Sequence, residues 1–157
     1  MILVNGIIHI ERSFMSEPDA LIDSNIFVYA WVSQEKEKHD IALRLFEKVW
    51  SREIIYAVSV QNLAEFSSVL LTKGERKEEP DEISAFIQII HEFSHWKVLT
   101  YDSAIIIRAL NIHKEYGLHF WDSLLVATME KNEIRRIITE DIHLKKIPWI
   151  EVINPFQ

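Results

Sequence analysis

The chain has 157 residues, with 17 Lys and Arg against 24 Asp and Glu, no Cys, 3 Gly, 48% hydrophobic residues and a formal charge of -7. That length sustains one core of its own, and the lack of Cys excludes disulfide frameworks, thiolate metal sites and a cysteine nucleophile. Gly6, Gly74 and Gly117 fall in no dinucleotide, P-loop or nucleophile-elbow motif, and the acidic balance excludes gripping nucleic acid by bulk positive charge, though not through a metal bridge.

No apolar run approaches the ~20 residues of a membrane span, and the first ten residues lack a basic region and a cleavage site. A protein of the reducing cytoplasm is expected. Residues 1–19 read as an extension ahead of a domain over 20–157, with Met15 an alternative start. Ala20-Leu21-Ile22-Asp23 reads as a strand ended by a carboxylate, and a helix follows from Ser24 without a turn residue. From Lys36 to Arg52, Ile41, Ala42, Leu45, Phe46 and Val49 recur at helical spacing. Ile54 to Val58 is a β-branched strand, and Ser59 caps a helix through Leu63, Phe66, Val69 and Leu70.

The charged stretch from Lys73 to Glu82 is a loop, and helix resumes near Asp81 with Ile83, Phe86, Ile87 and Ile90 on its buried stripe. Val98-Leu99-Thr100 makes a third strand, and Asp102 or Ser103 caps a helix that stops before Gly117. Trp121 to Lys131 is helix, Ile137 to Thr139 strand, and Ile150 to Ile153 a last strand. Strands separated by helices predict a three-layer α/β/α sandwich with a central, mostly parallel sheet.

Ligands of such sheets bind beyond the carboxyl ends of the strands. The acids placed there are Asp23 after the first strand, Glu65 after the second, Asp122 at a helix start and Asp141 after the strand ending at Thr139. Any one of them is more often a helix-start acid stabilised by the dipole. Glu65 and Asp122, however, interrupt apolar runs, Leu63-Ala64-Glu65-Phe66 and Trp121-Asp122-Ser123-Leu124. Carboxylates converging in one cleft repel by roughly 3 kcal/mol per pair at about 5 Å and an effective dielectric of about 20. Hard divalent cations such as Mg²⁺ or Mn²⁺ relieve this and support in-line phosphodiester hydrolysis.

The order Ala20-Leu21-Ile22-Asp23-Ser24-Asn25, Asn62-Leu63-Ala64-Glu65-Phe66, Tyr116-Gly117-Leu118-His119-Phe120-Trp121-Asp122-Ser123-Leu124-Leu125-Val126-Ala127 and Ile138-Thr139-Glu140-Asp141 resembles a PIN domain. More narrowly it resembles the VapC-like toxin ribonucleases of prokaryotic toxin–antitoxin pairs. The resemblance runs from about Ala20 to Pro155. It implies a PIN-like fold and a Mg²⁺- or Mn²⁺-dependent endoribonuclease with Asp23, Glu65, Asp122 and Asp141 as metal ligands and catalytic acids. Asn25 and Thr139 would be polar helpers around the metal. It also implies an RNA substrate, a cognate antitoxin and a homodimer.

Basic residues available to RNA are Lys73, Arg76 and Lys77 in the loop, Arg108 and Lys114 on a helix, and Lys145-Lys146, each more often ordinary surface. Tyr29, Trp31 and Trp121 have the shape to stack on unpaired bases, although aromatics beside a sheet are more often core. His91-Glu92-Phe93-Ser94-His95 matches H-E-x-x-H, but its second His lies at the helix end, which fits zinc hydrolysis poorly. A haloacid dehalogenase-type phosphatase would need an acid where Asn25 stands. A PIN-like module that binds without turnover is the main alternative.

Overall fold

The computed structural model describes residues 16–72 and 79–157. Met15, Gly74 and the loop cations Lys73, Arg76 and Lys77 lie outside the described residues. Five strands form one sheet: β1 (Ala20–Ile22), β2 (Tyr56–Ser59), β3 (Trp96–Leu99), β4 (Arg136–Ile138) and β5 (Glu151–Ile153). Their order is β3-β2-β1-β4-β5, and every pairing is parallel. Six α-helices are described: α1 (Ser24–Trp31), α2 (Lys36–Trp50), α3 (Val60–Thr72), α4 (Pro80–Glu92), α5 (Ser103–Tyr116) and α6 (Phe120–Lys131). None is long and apolar enough to cross a membrane.

The three layers follow from the two-residue period of the strands. Leu21, Ala57 and Ile137 turn to one face and join Leu99, Ala109, Ile112, Leu124 and Met129 in a core under α5 and α6. Their neighbours Ala20, Ile22, Tyr56, Val58 and Ile138 turn to the other face, against Phe27, Phe46, Phe66 and Ile90 of α1 to α4. β1 is wholly buried, as the central strand of a sheet covered on both sides must be.

Local chemistry sets the ends of the helices. The Ser59 hydroxyl accepts from the backbone N–H of Asn62 at 3.0 Å, and the Asn62 side chain accepts from the Ser59 N–H at 3.2 Å. This is the reciprocal cap of a Ser-x-x-polar sequence. Gly117 ends α5 at φ +65°, where its N–H meets the His113 carbonyl and glycine alone avoids the left-handed penalty. Boundaries differ from expectation by one or two residues, as at β2, which begins at Tyr56 rather than Ile54. The short 3-10 helix over His143–Lys146 has no periodic signal in four residues.

The strand order positions the site. Connections run outward from β1 to β2 to β3, then the chain crosses back to place β4 on the other flank of β1. At such a reversal the loops leaving the two neighbouring strands diverge and open a crevice at the carboxyl edge. Asp23 leaves β1 there, and Thr139 to Asp141 leave β4.

Candidate active site

Asp23 is tied down by three donors. Its Oδ1 accepts from the Ser24 N–H at 2.7 Å and the Asn62 amide at 3.0 Å, with the Ser24 hydroxyl oxygen 3.4 Å away. Its Oδ2 accepts from the Thr139 hydroxyl at 2.7 Å. The same Ser24 hydroxyl donates to Glu65 Oε2 at 2.8 Å, and Gln61 donates to Glu65 Oε1 at 2.9 Å. Gln61 also donates to the Trp121 carbonyl at 3.0 Å, tying α3 to the first turn of α6 where Asp122 stands. Thr139, fully buried, completes the frame by accepting from the Asp141 N–H at 3.0 Å and the Asn25 amide at 3.3 Å.

Thr139 has one proton, given to Asp23, so Asn25 must turn its NH₂ toward Thr139. That leaves Asn25 Oδ1 buried without a donor, as is Gln61 Oε1. Buried acceptors of this kind cost about 1–3 kcal/mol each and gather where a fold serves something other than stability.

The four acids act on one another electrostatically. Burial pushes the Asp23 carboxyl up to about 6, against the hydrogen bonds of Thr139 and Ser24, and the negative charges of Glu65 and Asp141 add to the rise. Asp122 is also raised, first by burial and then by Asp141, with a smaller push from Glu65 and an opposing pull from His143 and His119. Among the described residues no protein donor reaches the Asp122 carboxylate, whereas Asp141 Oδ1 accepts from the His143 N–H at 2.8 Å. No three carboxylate or imidazole groups among the described residues lie close enough to enclose an ion by themselves.

A pH dependence follows. Between the ordinary carboxylate value of 3.8 and about 6, the folded chain holds a proton on Asp23 that the unfolded chain has lost. Stability of the metal-free protein therefore falls as pH rises through that window, by roughly 2–3 kcal/mol for this group. Urea unfolding between about pH 4 and pH 7 should show that component in the wild type and lack it in Asp23→Asn.

The segment carrying Asp141 is held from behind. Glu140 accepts from the Tyr29 hydroxyl at 2.6 Å and from Lys38 Nζ at 2.9 Å, and Lys38 lies 4.6 Å from the centre of the Tyr29 ring. Burial acts to raise the Glu140 carboxyl, but these two hydrogen bonds and the lysine charge outweigh it and hold it below its ordinary value. Successive residues thus face apart: Thr139 to Asp23, Glu140 to α1 and α2, and Asp141 to the acid group.

A family model described as PIN domain matches residues 20–150. The chain belongs to the PIN domain family. It is 27% identical over 151 residues to Ribonuclease VapC2 of Methanocaldococcus jannaschii, covering 91% of this chain and 98% of that protein. Mycobacterium tuberculosis VapC20, described as a sarcin-ricin loop cleaving toxin, superposes with a TM-score of 0.64 at 18% identity, over 86% of this chain and 99% of that one. VapBC2 of Rickettsia felis, bound to a DNA fragment from its promoter, gives 0.60 at 16% identity, over 86% and 97%.

Within this PIN domain the other sequence candidates separate. Arg108 is no free cation: its guanidinium holds Glu130 through two hydrogen bonds of 2.6 and 2.8 Å. Lys114, Lys145 and Lys146 are exposed. His95 lies beyond the end of α4 and pairs with the Ser94 hydroxyl, so the H-E-x-x-H string does not present two His on one helical face. Trp31 packs edge-on against Phe66 and Phe86, and Tyr29 against Phe156. Trp121 alone of the three is open, 59% exposed. Sequence reasoning missed Ser24, Gln61 and Asn62 as the groups that orient the acids. The spacing Ser59-x-x-Asn62 was the available signal, because a capping amide in the first turn after β2 stands next to the end of β1.

Proposed function

We propose that this chain is a metal-dependent endoribonuclease acting as the toxin of a toxin–antitoxin pair, with residues 20–157 as its nuclease domain. What supports the reading is that Asp23 and Asp141 follow the two neighbouring strands at the strand-order reversal of a PIN fold, while Glu65 on α3 and Asp122 on α6 are near enough for the charges of these acids to act on one another. The names of its relatives, a ribonuclease and toxins in complexes with antitoxins, support both parts.

The donor set fits Mg²⁺ or Mn²⁺. All four groups offer hard oxygen, and Asp23 is pushed up to about 6 where a nearby cation would restore its charge. Mg²⁺ keeps several waters and takes one or two carboxylates directly, so it does not require three acids in mutual contact. When bound, the cation supplies Lewis-acid polarisation of the phosphodiester and neutralises charge on its oxygens. Asp23, Asp122 and Asp141 are the ligands we propose. Asp23 is prevented from rotating by its donors, while Asp122, with no donor among the described residues, keeps both oxygens available. Glu65, fixed at both oxygens by Ser24 and Gln61, is placed to orient a water or take its proton. Asn25 and Thr139 hold the acids from behind.

A cognate antitoxin, a homodimer and a cytoplasmic location complete the proposal. Ile107 and Leu110, 62% and 53% exposed along α5, are apolar residues that a second copy would cover.

The test has two arms. Purified protein should cut a pool of single-stranded and hairpin RNAs with Mg²⁺ or Mn²⁺ and stop in EDTA. Mn²⁺ at about 100 times its Kd should stabilise the fold by about 2.7 kcal/mol, which for a domain this size raises Tm by about 5–10 °C. Asp122→Asn should lose most of that rise. Folded protein that neither cuts RNA nor responds to either metal would defeat the proposal.

A further inference from the structure

Trp121 stands in the first turn of α6, immediately before Asp122. Phe120 braces it edge-on, with ring centres 5.4 Å apart, and its carbonyl is fixed by Gln61, itself only 6% exposed. The backbone beneath the indole is therefore locked while the ring stands open to solvent. Its side chain borders a cleft of about 340 Å³ whose other walls are Gln61, Ala64, Glu65, Ser68 and Tyr101.

We infer that this cleft is a base-stacking subsite that takes one unpaired nucleobase of the RNA, beside the phosphodiester that is cut. The inference rests on the nuclease reading and adds to it the feature of the substrate that is recognised. Three observations carry it. Among the described residues the walls contain no Lys or Arg, so no wall cation draws in a phosphate, whereas an indole and a phenol offer planar apolar surface to a ring. Its volume lies at the lower end of the range, about 300–1,000 Å³, of small-molecule sites, which suits one base. Glu65 is at once a wall of the cleft and a member of the acid group, so the base belongs to a nucleotide adjoining the scissile bond. A base stacked in a duplex has no free face to present, hence the requirement that it be unpaired. The Ser68 hydroxyl, which can both donate and accept, gives the base edge a polar neighbour.

The test is an abasic scan. Once wild-type protein has fixed a cleavage position in a single-stranded RNA, substrates lacking one base at each of the two positions on either side are compared. One of them should raise KM about 5- to 150-fold with the wild type, the range of base–aromatic stacking. Trp121→Ala should raise KM similarly on intact RNA and be indifferent to that same abasic position, with kcat changed less. Trp121→Phe should keep most of the wild-type KM and its sensitivity to the missing base. Effects of Trp121→Ala and of the abasic position that simply multiply, or an unchanged KM in Trp121→Ala, would overturn the inference while leaving the nuclease reading intact. Binding of a fluorescent six-nucleotide RNA in EDTA separates the two ideas from the other side. RNA bound in a Trp121-dependent way but never cut would sink the nuclease and keep the subsite. Binding of equal strength to wild type and Trp121→Ala, without cleavage, would remove both.

Discussion

RNA cleavage by Asp23→Asn is expected to fall at least about 100-fold, because groups that merely support a metal ligand already matter 10–100-fold and Asp23 is proposed as a ligand itself. The substitution is nearly isosteric, so the fold should survive it. Asn Oδ1 can still accept from Ser24 and Asn62, as Asp23 Oδ1 does. The new NH₂ faces the Thr139 hydroxyl, whose proton now has no carboxylate to meet. Against that cost stands the removal of a charge that burial, Glu65 and Asp141 all disfavour. The two effects oppose one another, and thermal unfolding should show a Tm close to wild type. Single-turnover cleavage at saturating metal is the deciding measurement: wild-type rates in Asp23→Asn would mean that Asp23 takes no part in the chemistry.

Thr139→Val should be the most damaging change among the polar helpers, losing about 2–4 kcal/mol of stability together with about 10- to 100-fold in cleavage. Valine keeps the shape and deletes the hydroxyl at a position with no solvent access. The Asp141 N–H and the Asn25 amide then lose their acceptor, and Asp23 Oδ2 loses its donor. Water cannot enter to replace them. Thr139→Ser retains the hydroxyl and should stay within about 1 kcal/mol of wild type, the transfer value of the lost methyl group. Urea midpoints for the pair, with cleavage rates on one RNA, separate loss of the hydroxyl from loss of packing. Equal midpoints for Val and Ser would contradict the role given to this hydrogen-bond hub.

Strands were legible because Ala20-Leu21-Ile22 and Ile137-Ile138 are short apolar runs bounded by polar residues, the signature of strands buried on both faces. Their exact ends were not, since Ile54 and Ser59 differ in pattern too little to fix where pairing with β1 begins. The four carboxylates were legible as positions at the carboxyl edge, and the strand order supports drawing Asp23 and Asp141 to one crevice. What holds them was not. Gln61 and Ser24 reveal themselves only when α1, α3 and α6 meet, because a hydrogen bond across 41 or 60 residues leaves no trace in local spacing. The pairing of Arg108 was hidden for the same reason, its partner Glu130 lying 22 residues away on the neighbouring helix. Among the aromatics, the general preference for the core was right for Trp31 and wrong for Trp121, whose exposure depends on where α6 begins beside the cleft.

The last strand has a temporal consequence. β5 pairs only with β4, and the backbone N–H of Thr139 donates to the carbonyl of Ile153 at 3.0 Å. The residue that grips Asp23 is therefore itself set in place by one made 14 positions later. Parallel sheets assemble only after long crossovers close, and here the closing contact comes from the far end of the chain. A nascent chain still missing Ile153 carries all four carboxylates without the backbone tie that seats their hub. Synthesis of the acidic residues and the seating of their hub are separated in time.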